Sequence, residues 1–236
     1  MIALALLLAA ADGSGLQAAL KSVKQDGPVQ LSAEAQQDIT AMLPPARKGE
    51  ECPDAAVVAQ QAEALKDRGD GAILVVTVST CKGGRIYALS TGQPPRVARL
   101  IDQQTLELRS ARALALGGGN KEHDLGLELL DTPTQSEMRL FSRSDTGFSF
   151  AEAGTLKEFN ALRECGAGDE ASGWGSSMRA EKEKLAVLRI DLACSGGNWQ
   201  AQCILYRFDR GALARAGVCP LPPKLDAKSL KLAGWK

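Results

Sequence analysis

The sequence of 236 residues holds one histidine, His123. A single imidazole excludes multi-histidine metal sites and leaves a serine-type triad only one base to draw on. Aromatic residues make up 4% of the chain, too few for a carbohydrate platform of stacked rings. An excess charge of either sign is missing too. The 28 basic residues balance 28 acidic ones, which excludes broad steering toward nucleic acid or anionic lipid. No two cysteines form a C-x-x-C pair, so a zinc ribbon or a thioredoxin-type redox motif is not expected. No G-x-S-x-G elbow supplies a nucleophilic serine. Gly117-Gly118-Gly119-Asn120-Lys121 lacks the spacing that cradles phosphates and reads as a loop. No apolar run approaches the roughly 20 residues that cross a bilayer as a helix.

What is present points to export. Ile2 to Ala11 is an apolar stretch, and Ala9-Ala10-Ala11 before Asp12 has the small-x-small character of a cleavage site. A signal peptide over 1–11 is the expectation, although Ile2 stands where a basic residue usually does. A buried N-terminal helix or an uncleaved anchor is the alternative. Cys52, Cys81, Cys165, Cys194, Cys203 and Cys219 are even in number and all follow that stretch. Cysteines in an exported chain oxidise to disulfides, whereas in the cytosol they would stay as buried thiols. Their connectivity is open; we expect the sequential pairs Cys52–Cys81, Cys165–Cys194 and Cys203–Cys219. Localisation is then secreted or periplasmic, with no stable membrane span.

Residues 12–70 read as a helical segment. Leu16, Leu20 and Val23 recur at helical spacing until Gly27-Pro28. Ser32 is placed to cap a second helix, with Ala35, Ile39, Met42 and Leu43 on one face and Pro44-Pro45 after it. Pro53 could open a third, running to about Asp67 through Val57, Val58, Ala62 and Leu65.

From residue 71 to 219 the periodicity becomes that of strands, and 220–236 forms a C-terminal tail. Ala72 to Thr80 is rich in β-branched residues, Ile86 to Ser90 returns, and Arg96 to Ile101 follows. Leu125 to Leu129, Met138 to Ser142 and Phe148 to Ala153 make a second strand–turn–strand–turn–strand unit. Leu185 to Ala193, Gln200 to Phe208 and Ala212 to Val218 make a third. Each unit has an aromatic on its middle strand: Tyr87, Phe141 and Tyr206. Asp102 to His123 and Lys157 to Glu183 have room for a fourth strand per unit. The fold class expected is mainly β, with repeated antiparallel meanders like propeller blades behind a short helical N-terminal segment. Three unrelated hairpins in a β-rich domain are the alternative.

LFSRSDTGFSFAEAGTL (140–156) resembles the end of an FG-GAP or VCBS-type β-propeller repeat, in which an LYRNDGDGTF run closes the blade. LYRFDRGALARAG (205–217) is a looser version, and Asp67-Arg68-Gly69-Asp70-Gly71 is similar to the opening of such a blade. The resemblance implies an extracytoplasmic, propeller-like fold used for recognition. It departs from the pattern in two ways. Three units are fewer than the four or so blades of a closed propeller, and the helical segment has no counterpart. Blades of this kind often hold calcium in a D-x-D-x-D-G loop, and calcium needs about six to eight oxygens. Here Lys66, Arg68 and Leu74 stand where acidic ligands belong beside Asp70-Gly71. Around the second unit only Asn120 and Asp124 fit. A metal-free loop is expected, with no cofactor.

Trp174, between Gly173 and Gly175 in an expected loop, and Trp199, after a hairpin turn, are the candidate binding residues. The bland reading folds them over the ends of the sheet. Arg68-Gly69-Asp70 matches an integrin-recognition tripeptide, but it stands where a turn is required. No catalytic residue is assigned. The function expected is a non-enzymatic binding or scaffold module for an unknown protein or cell-surface partner. The alternative is a secreted hydrolase using carboxylates or His123, which Glu122 and Asp124 flank in what reads as a polar turn.

Overall fold

The structure, a computed structural model, describes residues 14–21, 27–44, 59–67, 71–80, 83–91, 95–104, 107–114, 116, 124–132, 135–144, 147–157, 171–181 and 184–221. Two helices come first, α1 (Ser14–Lys21) and α2 (Ala33–Met42), with the short strand β1 (Gly27–Pro28) between them. Ser32 caps α2, its Oγ accepting from Ala35 N at 3.2 Å. Leu43 leaves the helix in extended geometry (ψ 146°), as the residue before a proline must. The helices meet at their starts. A Cβ on Gly15 would come within 3.0 Å of Ala35 N, and Leu16 N donates to the buried Asp38 carboxylate at 3.1 Å. That carboxylate answers one of the backbone donors a helix start leaves unpaired.

Three antiparallel sheets follow, each a meander in chain order. The first contains β2 (Ala59–Asp67), β3 (Gly71–Thr80), β4 (Gly83–Ser90) and β5 (Arg96–Gln104), with β1 added at the β2 edge. The second contains β6 (Glu107–Leu114), β7 (Asp124–Thr132), β8 (Gln135–Arg143) and β9 (Phe150–Lys157). The third contains β10 (Ala171–Glu181), β11 (Lys184–Ser195), β12 (Asn198–Asp209) and β13 (Ala212–Val218).

Strand alternation sends each sheet's side chains to two faces. Ala62, Ala64, Leu74, Val76, Tyr87 and Leu89 face the helices and pack with Leu16 and Ile39. Leu65, Ile73, Val75, Ile86 and Ile101 face the second sheet and pack with Leu108, Leu125, Leu127, Leu129 and Phe141. The reverse face of the second sheet carries Met138, Leu140, Ala153 and Leu156, which meet Val187, Tyr206, Phe208 and Leu213 of the third. The layers therefore run helices, first sheet, second sheet, third sheet. Burial on both faces explains the unbroken apolar run of β3, where Leu74, Val75 and Val76 are all 0% exposed. The first two sheets stack like edge to like edge, β2 beside β6 and β5 beside β9. The third is set differently, since β9 touches both of its outer strands, β10 and β13.

The same irregularity recurs in all three sheets. The register slips by one residue between Ile86 and Tyr87, between Leu140 and Phe141, and between Leu205 and Tyr206. In each case the last strand carries the extra residue: Leu100, Ala153 and Ala216. Such a bulge bends the strand and increases its twist. The flanking residues align as Ala98-Arg99-Leu100-Ile101, Ala151-Glu152-Ala153-Gly154 and Ala214-Arg215-Ala216-Gly217. The middle-strand aromatics expected from the sequence thus occupy one structural position, and each packs toward the layer before its own.

Several expectations need correction. The third helix does not form over the described part of its range, because residues 59–67 are β2. AQQAEALKD is made of good helix formers, but pairing with β3 places Leu65 and Glu63 on one face and Ala62 and Ala64 on the other, all buried. The helical segment therefore gives way to sheet by residue 59 rather than 71, and β1 lies within it. The fourth strand of each unit does exist and comes first, as β2, β6 and β10. Trp174 lies inside β10, since Gly173 and Gly175 pair with Leu192 and Ile190. The signal stretch 1–11, the tail from 222, the Arg68–Asp70 tripeptide and the 117–121 glycine loop lie outside the described residues.

The Gly196-Gly197 turn closes β11 on β12 with φ of 60° and 78°, the left-handed pair that a two-residue hairpin turn requires. Cys203 and Cys219 form a disulfide, with Cα atoms 5.1 Å apart, that ties the end of β13 to β12. Cys219 N also donates to Cys203 O at 3.1 Å. Cys52, Cys81 and Cys165 lie outside the described residues, and Cys194 is placed by its backbone in β11.

Two stability predictions follow from this packing. A Cβ on Gly154 would come within 2.7 Å of Leu213 Cδ1, at the joint of the second and third sheets. Gly154→Val should therefore cost about 1–3 kcal/mol in urea unfolding. Leu213→Ala in the same chain should recover part of that loss, and strictly additive losses would show that the two residues do not oppose each other. The paired change Cys203→Ser with Cys219→Ser should cost about 3 kcal/mol, in line with a sequence separation of 16. An unchanged urea midpoint would contradict the staple.

Candidate functional site

At one end of the first two sheets, polar groups tie strand ends together. Thr91, just past β4, accepts from Ala72 N through Oγ1 at 3.0 Å, and its own N donates to Ala72 O at 3.1 Å. Asp124, the first residue of β7, does the same for the second sheet. Its Oδ2 accepts from Leu116 N at 2.8 Å and its Oδ1 from Arg143 N at 3.0 Å. Ser144 N donates to Ser149 O at 2.9 Å, closing the connection that leads into β9. Charge-assisted bonds to backbone N–H groups are among the stronger polar contacts and hold these ends in place.

Between these fixed ends sits Phe148, packed against the core shared by the two sheets. The Arg96 guanidinium of the first sheet lies 5.2 Å from its ring centroid, and that of Arg143 from the second lies at 5.3 Å. Phe150 meets the same ring edge to face, with centroids 5.4 Å apart and planes at 87°. Arg96 is opposite the buried Ser90 in the β4–β5 register, and Arg143 is opposite Phe150 in β8–β9. Arg96 Nη2 also reaches Ser90 Oγ at 3.5 Å, a long and weak contact. Arg96, Arg143 and Ser90 each have further partners. All three members of the cluster are half-buried. A guanidinium over an aromatic face contributes about 0.5–2 kcal/mol, more as water is excluded.

Ion pairs lie further along the strands of the same two sheets. Asp102 Oδ1 takes Arg85 Nε at 3.2 Å and Arg99 Nη1 at 3.0 Å, while Glu128 takes Ser110 Oγ at 2.8 Å and Arg109 at 3.7 Å. The pairs of the exposed Arg99 and Arg109 contribute little, whereas the Arg85 side chain is only 11% exposed. Among the described residues, no group of three or more His, Cys, Asp or Glu could hold a metal ion, and no helix is long and apolar enough to cross a membrane.

Both candidate tryptophan positions lie by backbone in the third sheet, in β10 and β12. Trp174 pairs with Asp191, and Trp199 pairs with Cys194. His123 lies outside the described residues. The Arg96–Phe148–Arg143 cluster was not anticipated. Its signal lay within the RSDTGF stretch that carries the family resemblance, where Phe148 opens an expected strand and Arg143 follows the strand that ends at Ser142. Nothing in the sequence brought Arg96 to them, since that contact crosses two sheets.

Phe148→Ala should cost about 2 kcal/mol, through lost apolar burial and two lost cation–π contacts. Part of that loss should persist in Phe148→Leu, which keeps apolar bulk but no ring. Equal stability of Phe148→Leu and the unaltered chain would remove the ring from the ledger. Comparisons with family models, with curated proteins and with solved structures found no match.

Proposed function

We propose that this chain is an exported, non-enzymatic binding or scaffold protein built from three copies of a blade-like unit. The observation that carries the reading is the bulge opposite Tyr87, Phe141 and Tyr206, at one position in three meanders of identical strand order. Unrelated hairpins have no reason to share it. Stacked units of this kind serve as rigid platforms, with side chains at their strand ends offered to a partner. The Cys203–Cys219 disulfide supports an oxidising compartment outside the cytoplasm. The likeness to FG-GAP and VCBS-type blades belongs to the same reading, as an open row of units rather than a closed ring. In this reading the helices cover the outer face of the first sheet, the face a preceding blade would occupy.

The test begins with the chain recovered from outside the cytoplasm, its N-terminus read by mass spectrometry. A start near Asp12 is expected, and a retained Met1 overturns export. The same material is then screened against ester, peptide and glycoside substrates, beside a His123→Ala variant. No turnover is expected. Hydrolysis that disappears with His123→Ala would replace the binding reading with the hydrolase one.

A further inference from the structure

We propose that Arg215 and the bulge at Ala216 guard the outer edge of β13, so that the third sheet does not continue into a second copy of this chain. The inference goes beyond the binding-module reading and does not depend on it.

β13 ends the strand order of the third sheet, and among the described residues no strand pairs with its outer side. An edge of this kind presents unpaired N–H and C=O groups, a template for a further strand. Its sequence, ALARAGV, is small and holds no proline, and Ala212, Ala214, Arg215, Ala216 and Val218 are exposed. An antiparallel edge strand can meet its own copy about a two-fold axis, and the two sheets then become one.

Two features oppose that pairing. The first is a charge at the centre. Arg215 is the middle residue of Ala212–Val218, so full overlap of two copies sets Arg215 directly opposite its counterpart. Like charges in that position are destabilising. Among the described residues Arg215 has no ion pair that would cancel its charge. The second feature is the extra residue, Ala216, which falls between the partners of Tyr206 and Leu205. It disrupts the even spacing of the backbone groups along the strand and increases its twist.

The other units separate this reading from a ligand site. The residue opposite the middle-strand aromatic, next to the extra residue, is Arg99 in β5, Glu152 in β9 and Arg215 in β13. All three are exposed, on strands that end their sheets. A common ligand selects one sign of charge. A barrier to self-pairing works with either, because a copy brings the same sign to the same place. Arg99 also bonds Asp102 at 3.0 Å, and Glu152 accepts from Thr155 Oγ1 at 3.2 Å, so the charge is most open on β13. β10, the other edge of the third sheet, keeps an unbroken register with β11. The device therefore belongs to the strand that closes a unit.

The experiment is sedimentation equilibrium of the full chain over a range of concentrations. Arg215→Thr removes the charge and suits a strand. It should lower the dissociation constant for self-association about fivefold. Arg215→Glu restores a like-charged pair and should match the unaltered chain. Arg207→Thr removes an exposed arginine from β12, inside the sheet, and should match it too, which controls for net charge. Deleting Ala216 in the Arg215→Thr chain should strengthen association further. Urea unfolding is run beside it, and the point variants decide if the deletion folds poorly. Amide exchange over 212–218 should slow in the associated Arg215→Thr chain. The proposal is overturned if Arg215→Thr associates no more than the unaltered chain. It is overturned equally if Arg215→Glu or Arg207→Thr associates as strongly, or if exchange over 212–218 does not change. None of these outcomes bears on export or on the hydrolysis screen.

Discussion

The described layers depend on two central sheets that must be covered on both faces. A four-stranded meander with apolar residues at successive positions cannot leave either face to water. The first sheet meets this requirement with two helices on one side and the second sheet on the other. The second sheet meets it with the first and the third. The helices, the stacking order and the close approach of Gly154 to Leu213 all follow. Even the buried Asp38 belongs to the same constraint, since it joins α1 to α2 so that the pair covers the first sheet as one layer.

Much of this was legible in the sequence, and its limits are physical. β3 announced itself through AILVVTV, because a doubly buried strand is an unbroken apolar run. The Gly196-Gly197 turn was legible because few residues accept two consecutive positive φ angles. β2 was not legible. Its Ala, Gln, Glu and Lys residues favour a helix locally, and only pairing with a partner found downstream turns them into a strand. Trp174 was misplaced for the same reason, since glycines on either side read as a loop until β11 is laid beside them. The Arg96–Phe148–Arg143 cluster was invisible in kind. Side chains 52 positions apart, Arg96 and Phe148, meet there, and no local pattern records such a meeting.

The bulge beside each middle-strand aromatic shows where the units are held constant and where they vary. The aromatic, the residue before it and the Ala-x-[Ala/Leu] stretch across from it keep one geometry in all three sheets. The connections between those strands differ, from the two-residue Arg210-Gly211 turn to longer ones. The Arg96–Phe148–Arg143 cluster arises at one of the longer connections.

β1 is two residues long, and one of them is a proline. Pro28 has no N–H to give, so a strand approaching that side of the first sheet finds almost no ladder to continue. Where β1 lies, opposite Glu63 and Ala64, the edge of the first sheet is thus blunted by covalent chemistry rather than by bulk.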